Sequence, residues 1–176
     1  AEASKDYHEA RQQANLDKLT ALYNRRFFDE RLTRLLLEQQ PFCLAMVDLD
    51  DFKRVNDNYG HQTGDVVLKR VAQLARLLLG DYGWVCRYGG EELVVLMVNP
   101  DPHFCLLLLE QFRKAVESLD WREPGLKITL SGGLVASHGV THGKTLLEVA
   151  DAEVYRAKRD GKNRIYLGTP QELVAG

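Results

Sequence analysis

The sequence has few cysteines and no long apolar run, and both features exclude protein classes. The cysteines are odd in number, lie far apart and are flanked by apolar residues, which indicates reduced core side chains in a cytoplasmic protein rather than disulfides or a zinc site. The longest apolar runs are far shorter than a membrane span, and no signal peptide is visible. We therefore expect no membrane-spanning segment in this chain. The cysteines are Cys43, Cys86 and Cys105.

The sequence also lacks an excess of either charge. Its 23 basic and 25 acidic residues give a net charge of −2. No overall field therefore attracts the protein to nucleic acid or to an anionic membrane, and any anionic ligand must be held by local groups. The length of 176 residues and the 45% hydrophobic content fit one globular domain. The chain begins with Ala1 and not with methionine, which suggests a fragment of a longer protein.

Hydrophobic periodicity predicts alternating helices and strands after a polar N-terminal segment. Residues 1–18 are interpreted as a signalling helix or linker from a missing upstream region, with a loose tail as the alternative, and 171–176 as a C-terminal tail. Between them, residues 19–170 predict an α+β domain of split-βαβ type, ferredoxin-like or palm-type, in which helices pack around an antiparallel-rich sheet. The predicted helices are 24–39, 51–59, 64–79, 102–119 and 144–159, and the predicted strands are 42–49, the hairpin 84–98, 127–136 and 164–167.

Carboxylates gather at the end of the first predicted strand. Because side chains alternate along a strand, Asp48 and Asp50 share one face and Leu49 points the other way. Carboxylate and carbonyl oxygens, completed by substrate phosphates, suit magnesium better than zinc. An aspartate inside an apolar run is costly to bury without a positive partner, so we reserve Asp48 for a metal. We assign Asp50 or Asp51 to capping the next helix.

Polar residues beyond that strand form a candidate nucleotide site. Lys53 and Asn56 are three apart on one helical face, where an ammonium can stabilise developing charge and an amide can pair with a base edge. Asp65 follows His61 and would open the next helix, where its carboxylate could accept guanine N–H groups. Each of these residues can equally be a solvated surface residue, and Asp65 a favourable charge in a first helical turn. Spacing alone leaves both interpretations open.

The segment RYGGEEL at 87–93 separates two apolar runs and predicts a hairpin with an anionic tip. In a meandering sheet this tip would lie beside the end of the first strand, which brings Glu91 next to Asp48. Gly89 and Gly90 permit a tight turn and leave room for a bound phosphate. A plain glycine turn with solvated glutamates is the alternative. The combination with the first strand favours a functional site.

Taken together, these motifs resemble the GGDEF domain of diguanylate cyclases, bacterial signalling transferases that condense two GTP into cyclic di-GMP and regulate biofilms. Leu93 replaces the usual phenylalanine of the motif, and Ala21 and Glu153 stand where glycine and alanine are common; we expect these exchanges to be peripheral to the chemistry. The matching segments are DKLTALYNRR at 17–26, DLDDFKRVND at 48–57, YGHQTGD at 59–65, RYGGEEL at 87–93, LSGGLVAS at 130–137 and ADAEVYRAKRDGKN at 150–163.

The resemblance implies which residues carry the chemistry. Asp48, Glu91 and the main-chain carbonyl of Leu49 resemble the ligands of Mg²⁺, with Mn²⁺ as an alternative ion. Glu91 is also the candidate base, with Glu92 close behind it. Lys53 resembles the residue that stabilises the transition state.

The resemblance also implies which residues hold GTP. Two lysines resemble the pair that grips the terminal phosphates, and because they are four apart we expect them to share a helical face. The implied substrate-binding residues are Asn56, Asp65 and His61 for guanine, Gly89 and Gly90 for the phosphates, and Lys158 and Lys162 for the terminal phosphates.

Partners and regulation follow from the same resemblance. Each domain resembles half an active site with one GTP, so a homodimer is implied, controlled by an upstream sensor domain. The family's product-inhibition motif, Arg-x-x-Asp, is absent because Gly80 and Gly83 occupy its positions, and we expect no product feedback through it.

The alternative is a non-catalytic module that binds GTP or cyclic di-GMP and signals by contact. The presence of Lys53, Glu91 and the neighbouring carboxylates favours the enzyme.

Overall fold

The structure, a computed structural model, describes residues 2–170, and the predicted tail at 171–176 lies outside them. The predicted order of helices and strands is confirmed. The elements are α1 Glu2–Ala14, α2 Arg25–Leu37, β1 Cys43–Leu49, α3 Phe52–Tyr59, α4 His61–Leu79, a 3-10 turn Gly80–Tyr82, β2 Gly83–Arg87, β3 Glu92–Met97, α5 Pro102–Glu117, β4 Leu130–Ala136, α6 Gly143–Arg159 and β5 Arg164–Gly168.

The strands form a five-stranded sheet in the order β2-β3-β1-β4-β5. The central strand β1 pairs antiparallel with β3 and with β4, β2 pairs antiparallel with β3, and β4 pairs parallel with β5. This is the antiparallel-rich, split-βαβ arrangement that the order of elements predicted. The central strand ends at Leu49. The residues that follow it therefore lie midway along the border of the sheet that is formed by strand ends, and not beside an outermost strand.

Helices cover both faces of the sheet, which explains why β1 is apolar at nearly every position. On one face, α3, α4 and α5 pack against alternate residues of β1 such as Ala45 and Val47. On the other face, α2 and α6 pack against Leu44 and Met46. The three cysteines are buried and unpaired within these two cores, as predicted. No helix within residues 2–170 is long and apolar enough to cross a membrane.

Two predicted boundaries were wrong by three residues. Helix α4 begins at His61 and not at 64, because Gly60, with a φ of 90°, both ends α3 and caps the start of α4. Asp65 therefore lies in the second turn of α4, and the proposed first-turn role for its charge does not apply. Strand β4 begins at Leu130, later than the predicted 127.

Glu153 is buried, so this exchange lies in the packing of α6 on the sheet, and the expectation that it is peripheral to the chemistry stays a prediction. Its carboxylate accepts a hydrogen bond from Arg156 Nε at 2.8 Å. A Cβ at Gly133 would lie 2.8 Å from the Cβ of Glu153, and one at Gly168 would lie 2.8 Å from its Cγ. Gly168 therefore leaves space for the longer side chain of Glu153, whereas Gly133 permits the close approach of the α6 backbone at Ala150.

Candidate active site

The GGEE loop lies beside the end of β1. The β1–β3 register places Asp48 opposite Glu92, and the Leu49 N–H donates to the Glu91 carbonyl at 3.2 Å. The Tyr88 N–H closes the loop by donating to the Glu92 carbonyl at 2.9 Å. The antiparallel pairing thus brings Glu91 and Asp48 together, although they are far apart in sequence.

The two loop glycines have different surroundings. A Cβ at Gly89 would overlap the Glu92 carboxylate, whereas one at Gly90 would meet nothing within 4 Å. Arg87 donates hydrogen bonds to the carbonyls of both glycines, from Nε to Gly89 at 3.2 Å and from Nη2 to Gly90 at 2.9 Å. The loop backbone is therefore fixed by Arg87 and leaves open space over Gly90.

Asp48 has the features expected of a cation ligand. Its Oδ2 lies 3.1 Å from Lys158 Nζ, but its buried Oδ1 has no hydrogen-bond partner. Burial raises the pKa of Asp48 above its ordinary value, Lys158 opposes this, and the charges of Glu91 and Asp50 raise the pKa further. A buried, unpartnered carboxylate oxygen is costly, and a bound cation would satisfy it. The donor set at this edge therefore fits a hard divalent ion.

The protein side chains alone do not enclose that ion. Among residues 2–170, no three His, Cys, Asp or Glu side chains are grouped so that they could hold a metal by themselves. Asp48 and Glu91 would need oxygens from the Leu49 carbonyl and from a bound phosphate to complete the coordination, which is the arrangement that Mg²⁺ commonly adopts with nucleotides.

Glu92 adds a further carboxylate to the same edge. Burial raises its pKa, as do the charges of Asp48, Asp151 and Glu91, while Arg25 acts in the opposite direction. Asp151 is an exposed residue of α6, and partial desolvation of its carboxyl also raises its pKa. No role was predicted for Asp151, although it lies inside the matching segment at 150–163. Its interaction with Glu92 depends on the packing of α6 against the sheet.

The two predicted phosphate-binding lysines both reach the end of β1, but not from one helical face. Helix α6 ends at Arg159, and Lys162 lies beyond it in a left-handed conformation with a φ of 65°. Lys158 Nζ is paired with Asp48, and Lys162 Nζ lies 2.7 Å from Asp51 Oδ1. The prediction of a shared face was wrong, because the chain leaves the helix between the two lysines.

The predicted guanine-binding residues lie where α3 meets α4. The Asn56 side chain packs against Gly64, where any Cβ would overlap its Oδ1. This contact brings Asn56 to the turn of α4 that carries Asp65. His61 and Asp65 are exposed and four apart on α4, so they share one face, and Lys53 is exposed on α3.

The predicted cap position is confirmed at Asp51, but its side chain does not form a capping hydrogen bond. Asp51 is the N-cap residue of α3, but its φ of 54° is left-handed and its side chain makes no hydrogen bond to the helix. Asp50 is buried and accepts hydrogen bonds from Thr129 and Ser131. Both carboxylates therefore bind partners that are distant in sequence.

The site and fold agree with a known family. Residues 14–164 match the family model described as diguanylate cyclase, GGDEF domain. This chain belongs to the GGDEF family. The GGDEF assignment covers strands β1 to β4, the first residue of β5, the acidic edge and both lysines described above.

Relatives of this GGDEF domain are named as diguanylate cyclases or probable diguanylate cyclases. Diguanylate cyclase DgcP of Pseudomonas aeruginosa is 39% identical over 161 residues, which are 88% of this chain and 24% of the relative. The probable diguanylate cyclase DgcF of Escherichia coli K12 is 38% identical over 159 residues, 86% of this chain and 50% of the relative. The chain thus spans a quarter to a half of the length of these curated relatives.

A solved structure shows the same fold. The crystal structure of the coiled coil and GGDEF domain of DgcB from Caulobacter crescentus, in complex with c-di-GMP, matches with a TM-score of 0.88 and 31% identity. The match covers 95% of this chain and 92% of that one. The predicted family and fold class are therefore both confirmed.

Proposed function

We propose that this GGDEF domain is a Mg²⁺-dependent diguanylate cyclase that condenses two GTP into cyclic di-GMP and releases two pyrophosphates. The observation that carries the proposal is the convergence of Asp48, with its unpartnered Oδ1, and the GGEE loop that carries Glu91. The activity named for the relatives supports the same reaction. Mn²⁺ is an alternative ion.

The reaction joins the 3′-oxygen of one GTP to the α-phosphorus of another, and the bond to pyrophosphate breaks. Asp48, Glu91 and the Leu49 carbonyl would hold the cation, which when bound neutralises phosphate charge. Glu91 accepts the proton of the attacking hydroxyl, with Glu92 behind it. Lys53, one turn before the base-reading Asn56 on α3, stabilises the charge that develops on the phosphate.

Substrate binding uses the two flanks of this acidic edge. Asn56 and Asp65, with His61 nearby, bind guanine where α3 meets α4. Lys158 exchanges Asp48, and Lys162 exchanges Asp51, for the terminal phosphates, which lie over the open side of Gly90, while Asp50 continues to face Lys158. Each ammonium exchanges an aspartate for a phosphate and so remains paired with an anion.

The working enzyme is a homodimer, because one domain supplies one GTP and the reaction joins two. Its regulation belongs to an upstream sensor domain. The side chains of α1 are exposed from residue 3 to residue 14, which leaves this helix free to connect the domain to such a sensor. The domain is then the output module of a longer signalling protein.

The proposal is tested by incubating the purified chain with GTP and Mg²⁺ at several protein concentrations and separating the nucleotides by chromatography. We expect cyclic di-GMP, at a rate per molecule that rises with protein concentration. Glu91→Gln should lower this rate by at least about a hundredfold, the usual contribution of a general base. Glu30→Gln, an exposed change on α2, is the matched control. An inactive wild type that still binds GTP would instead indicate a binding module.

A further inference from the structure

Asp50 is a buried carboxylate without a part in the proposed chemistry. Its side chain is 2% exposed. Oδ1 accepts a hydrogen bond from Ser131 Oγ at 2.7 Å and lies 3.6 Å from Lys158 Nζ. Oδ2 accepts from Thr129 Oγ1 at 2.8 Å and from the Asn163 N–H at 3.0 Å. Two donors therefore face each oxygen, and they come from α6, from β4 and the residue before it, and from the turn before β5.

The turn before β5 depends on this carboxylate. Lys162 and Asn163 are consecutive left-handed residues with φ values of 65° and 50°. Such a conformation is unfavourable for non-glycine residues and persists only when neighbouring groups hold it. The Asp50 carboxylate accepts a hydrogen bond from the Asn163 N–H. The Asn163 side chain is hydrogen-bonded to two residues of α5, Arg113 and Glu117.

We propose that Asp50 is a positioning residue that sets both phosphate-binding lysines over the end of β1. This inference rests on the proposed function. Asp50 acts on Lys158 directly, since the ammonium lies between Asp48 and Asp50. It acts on Lys162 through the turn, because the Asn163 amide that it fixes is the next residue of the chain.

A carboxylate is required because two of the four donors cannot act as acceptors. Hydroxyl groups can rotate to donate or accept, but a backbone N–H and a lysine ammonium only donate. These two fixed donors face different oxygens of Asp50. In Asp50→Asn, whichever oxygen is replaced by NH₂ would face one of them. The variant therefore either removes the Asp50 contact of Lys158, which keeps its contact with Asp48, or frees the turn that carries Lys162.

The test compares nucleotides of different phosphate length in Mg²⁺ by calorimetry. The probes are the α,β-methylene analogue of GTP, which cannot release pyrophosphate, and GDP and GMP. We expect Asp50→Asn to weaken the binding of the analogue about tenfold or more, the value of one charge-assisted hydrogen bond. GMP affinity should change by less than about twofold, since Asn56 and Asp65 are unaffected.

Thr129→Val is the second variant, because valine has the shape of threonine and removes one donor to Asp50 without removing a charge. It should weaken binding of the analogue about threefold, with GMP unchanged. Thr33→Val, on the exposed face of α2, is the matched control and should leave every affinity unchanged. Thermal melts establish that each variant is folded.

The outcomes separate three cases. Selective loss of triphosphate affinity supports the inference, and if Asp50→Asn does not fold, Thr129→Val decides it. Equal weakening of the analogue and GMP would indicate a merely structural role and overturn it, as would unchanged affinity in a folded Asp50→Asn variant. A wild-type protein that binds neither the analogue nor GMP would instead refute the proposed function itself, and this inference with it.

Discussion

Arg87 and Asp17 form an ion pair that joins the N-terminal segment to the GGEE loop. The guanidinium Nη1 lies 3.1 Å from Asp17 Oδ2, while Nη2 and Nε of the same group hold the carbonyls of the loop glycines. Asp17 also accepts hydrogen bonds from the N–H and hydroxyl of Thr20 at 2.9 and 2.8 Å. One side chain thus connects the segment that follows α1 to the loop that carries Glu91.

Asp17→Asn should weaken this connection. We expect a loss of about 1 kcal/mol in the free energy of unfolding, as for other charge-assisted hydrogen bonds that are partly exposed, and a several-fold lower cyclase rate. Urea unfolding and initial rates measure the two effects. Asp6→Asn, an exposed acidic residue on α1, is the control and should change neither.

The effect of Asp17→Asn should depend on pH. Partial burial by itself would raise the pKa of Asp17, but the bonds from Thr20 and the charge of Arg87 lower it below its ordinary value. A carboxyl with a lowered folded pKa stabilises the protein above its unfolded pKa of about 3.9, and this contribution is lost as the pH falls through the folded pKa. The stability difference between wild type and variant should therefore disappear in strong acid. A difference that persists there would contradict the ionic role.

Glu92→Gln should stabilise the protein while lowering its activity. Burial and the charges of Asp48, Asp151 and Glu91 raise the pKa of Glu92, so the folded state binds its proton more tightly than the unfolded state. Stability then falls as the pH rises from about 4.3 through the raised pKa, and the cost is complete above it. Near neutral pH we expect a melting temperature about 2–4 °C higher in Glu92→Gln, the shift for about 1 kcal/mol in a domain of this size.

The same experiment at low pH supplies the check. Below the unfolded pKa both forms are protonated, so the gain from Glu92→Gln should vanish there. Glu30→Gln should show no gain at either pH, because Glu30 is exposed on α2. A Glu92→Gln variant that is less stable than wild type near neutral pH would show that hydrogen bonds of Glu92 outweigh the repulsion.

Gly83 and Gly80 should respond differently to alanine. A Cβ at Gly83 would overlap the backbone oxygen of Leu96, whereas the nearest atom to one at Gly80 is Arg76 Cγ at 3.5 Å. We expect Gly83→Ala to cost about 2–3 kcal/mol, as overpacking does, and Gly80→Ala to be neutral or stabilising by about 0.5 kcal/mol. Chemical denaturation of the two variants measures this difference, and equal stabilities would contradict it.

The overlap at Gly83 also bears on product feedback. An aspartate at this position would displace β2 from β3, so the position cannot supply the acid of an Arg-x-x-Asp motif without rearrangement. We therefore propose that cyclic di-GMP does not inhibit the enzyme through this turn. Inhibition by micromolar product that is lost when Gly80 is changed would contradict the proposal.

Ala21 has a φ of 59°, a left-handed conformation that glycine adopts more readily than alanine. A left-handed alanine is strained by about 1–2 kcal/mol relative to its helical conformation, and glycine avoids this strain. Ala21→Gly should therefore raise the free energy of unfolding by about 1 kcal/mol, after allowance for the greater freedom of unfolded glycine. Ala152→Gly, exposed within α6, should lower it by about 1 kcal/mol.

The local features of this domain were predictable from short stretches of sequence. The apolar run of β1, the periodic helices and the glycine hairpin each follow from the spacing of neighbouring residues. The position of Glu91 beside Asp48 was also predictable, because the order of the strands leaves few ways to pair them in one sheet. The ends of α4 and β4 were less predictable, since helix starts depend on the conformation of single residues such as Gly60.

By itself, the sequence determined the family through the resemblance of its motifs, and the order of elements and the carboxylates that meet at the end of β1 through local periodicity and strand pairing. The tertiary structure alone decided the burial of Glu153, the separate paths of Lys158 and Lys162 and the partners of Asp50. Asp50 binds Thr129 and Asn163, which are 79 and 113 positions away along the chain. Contacts over such separations depend on how helices and turns pack on the sheet, and no pattern of neighbouring residues encodes that packing.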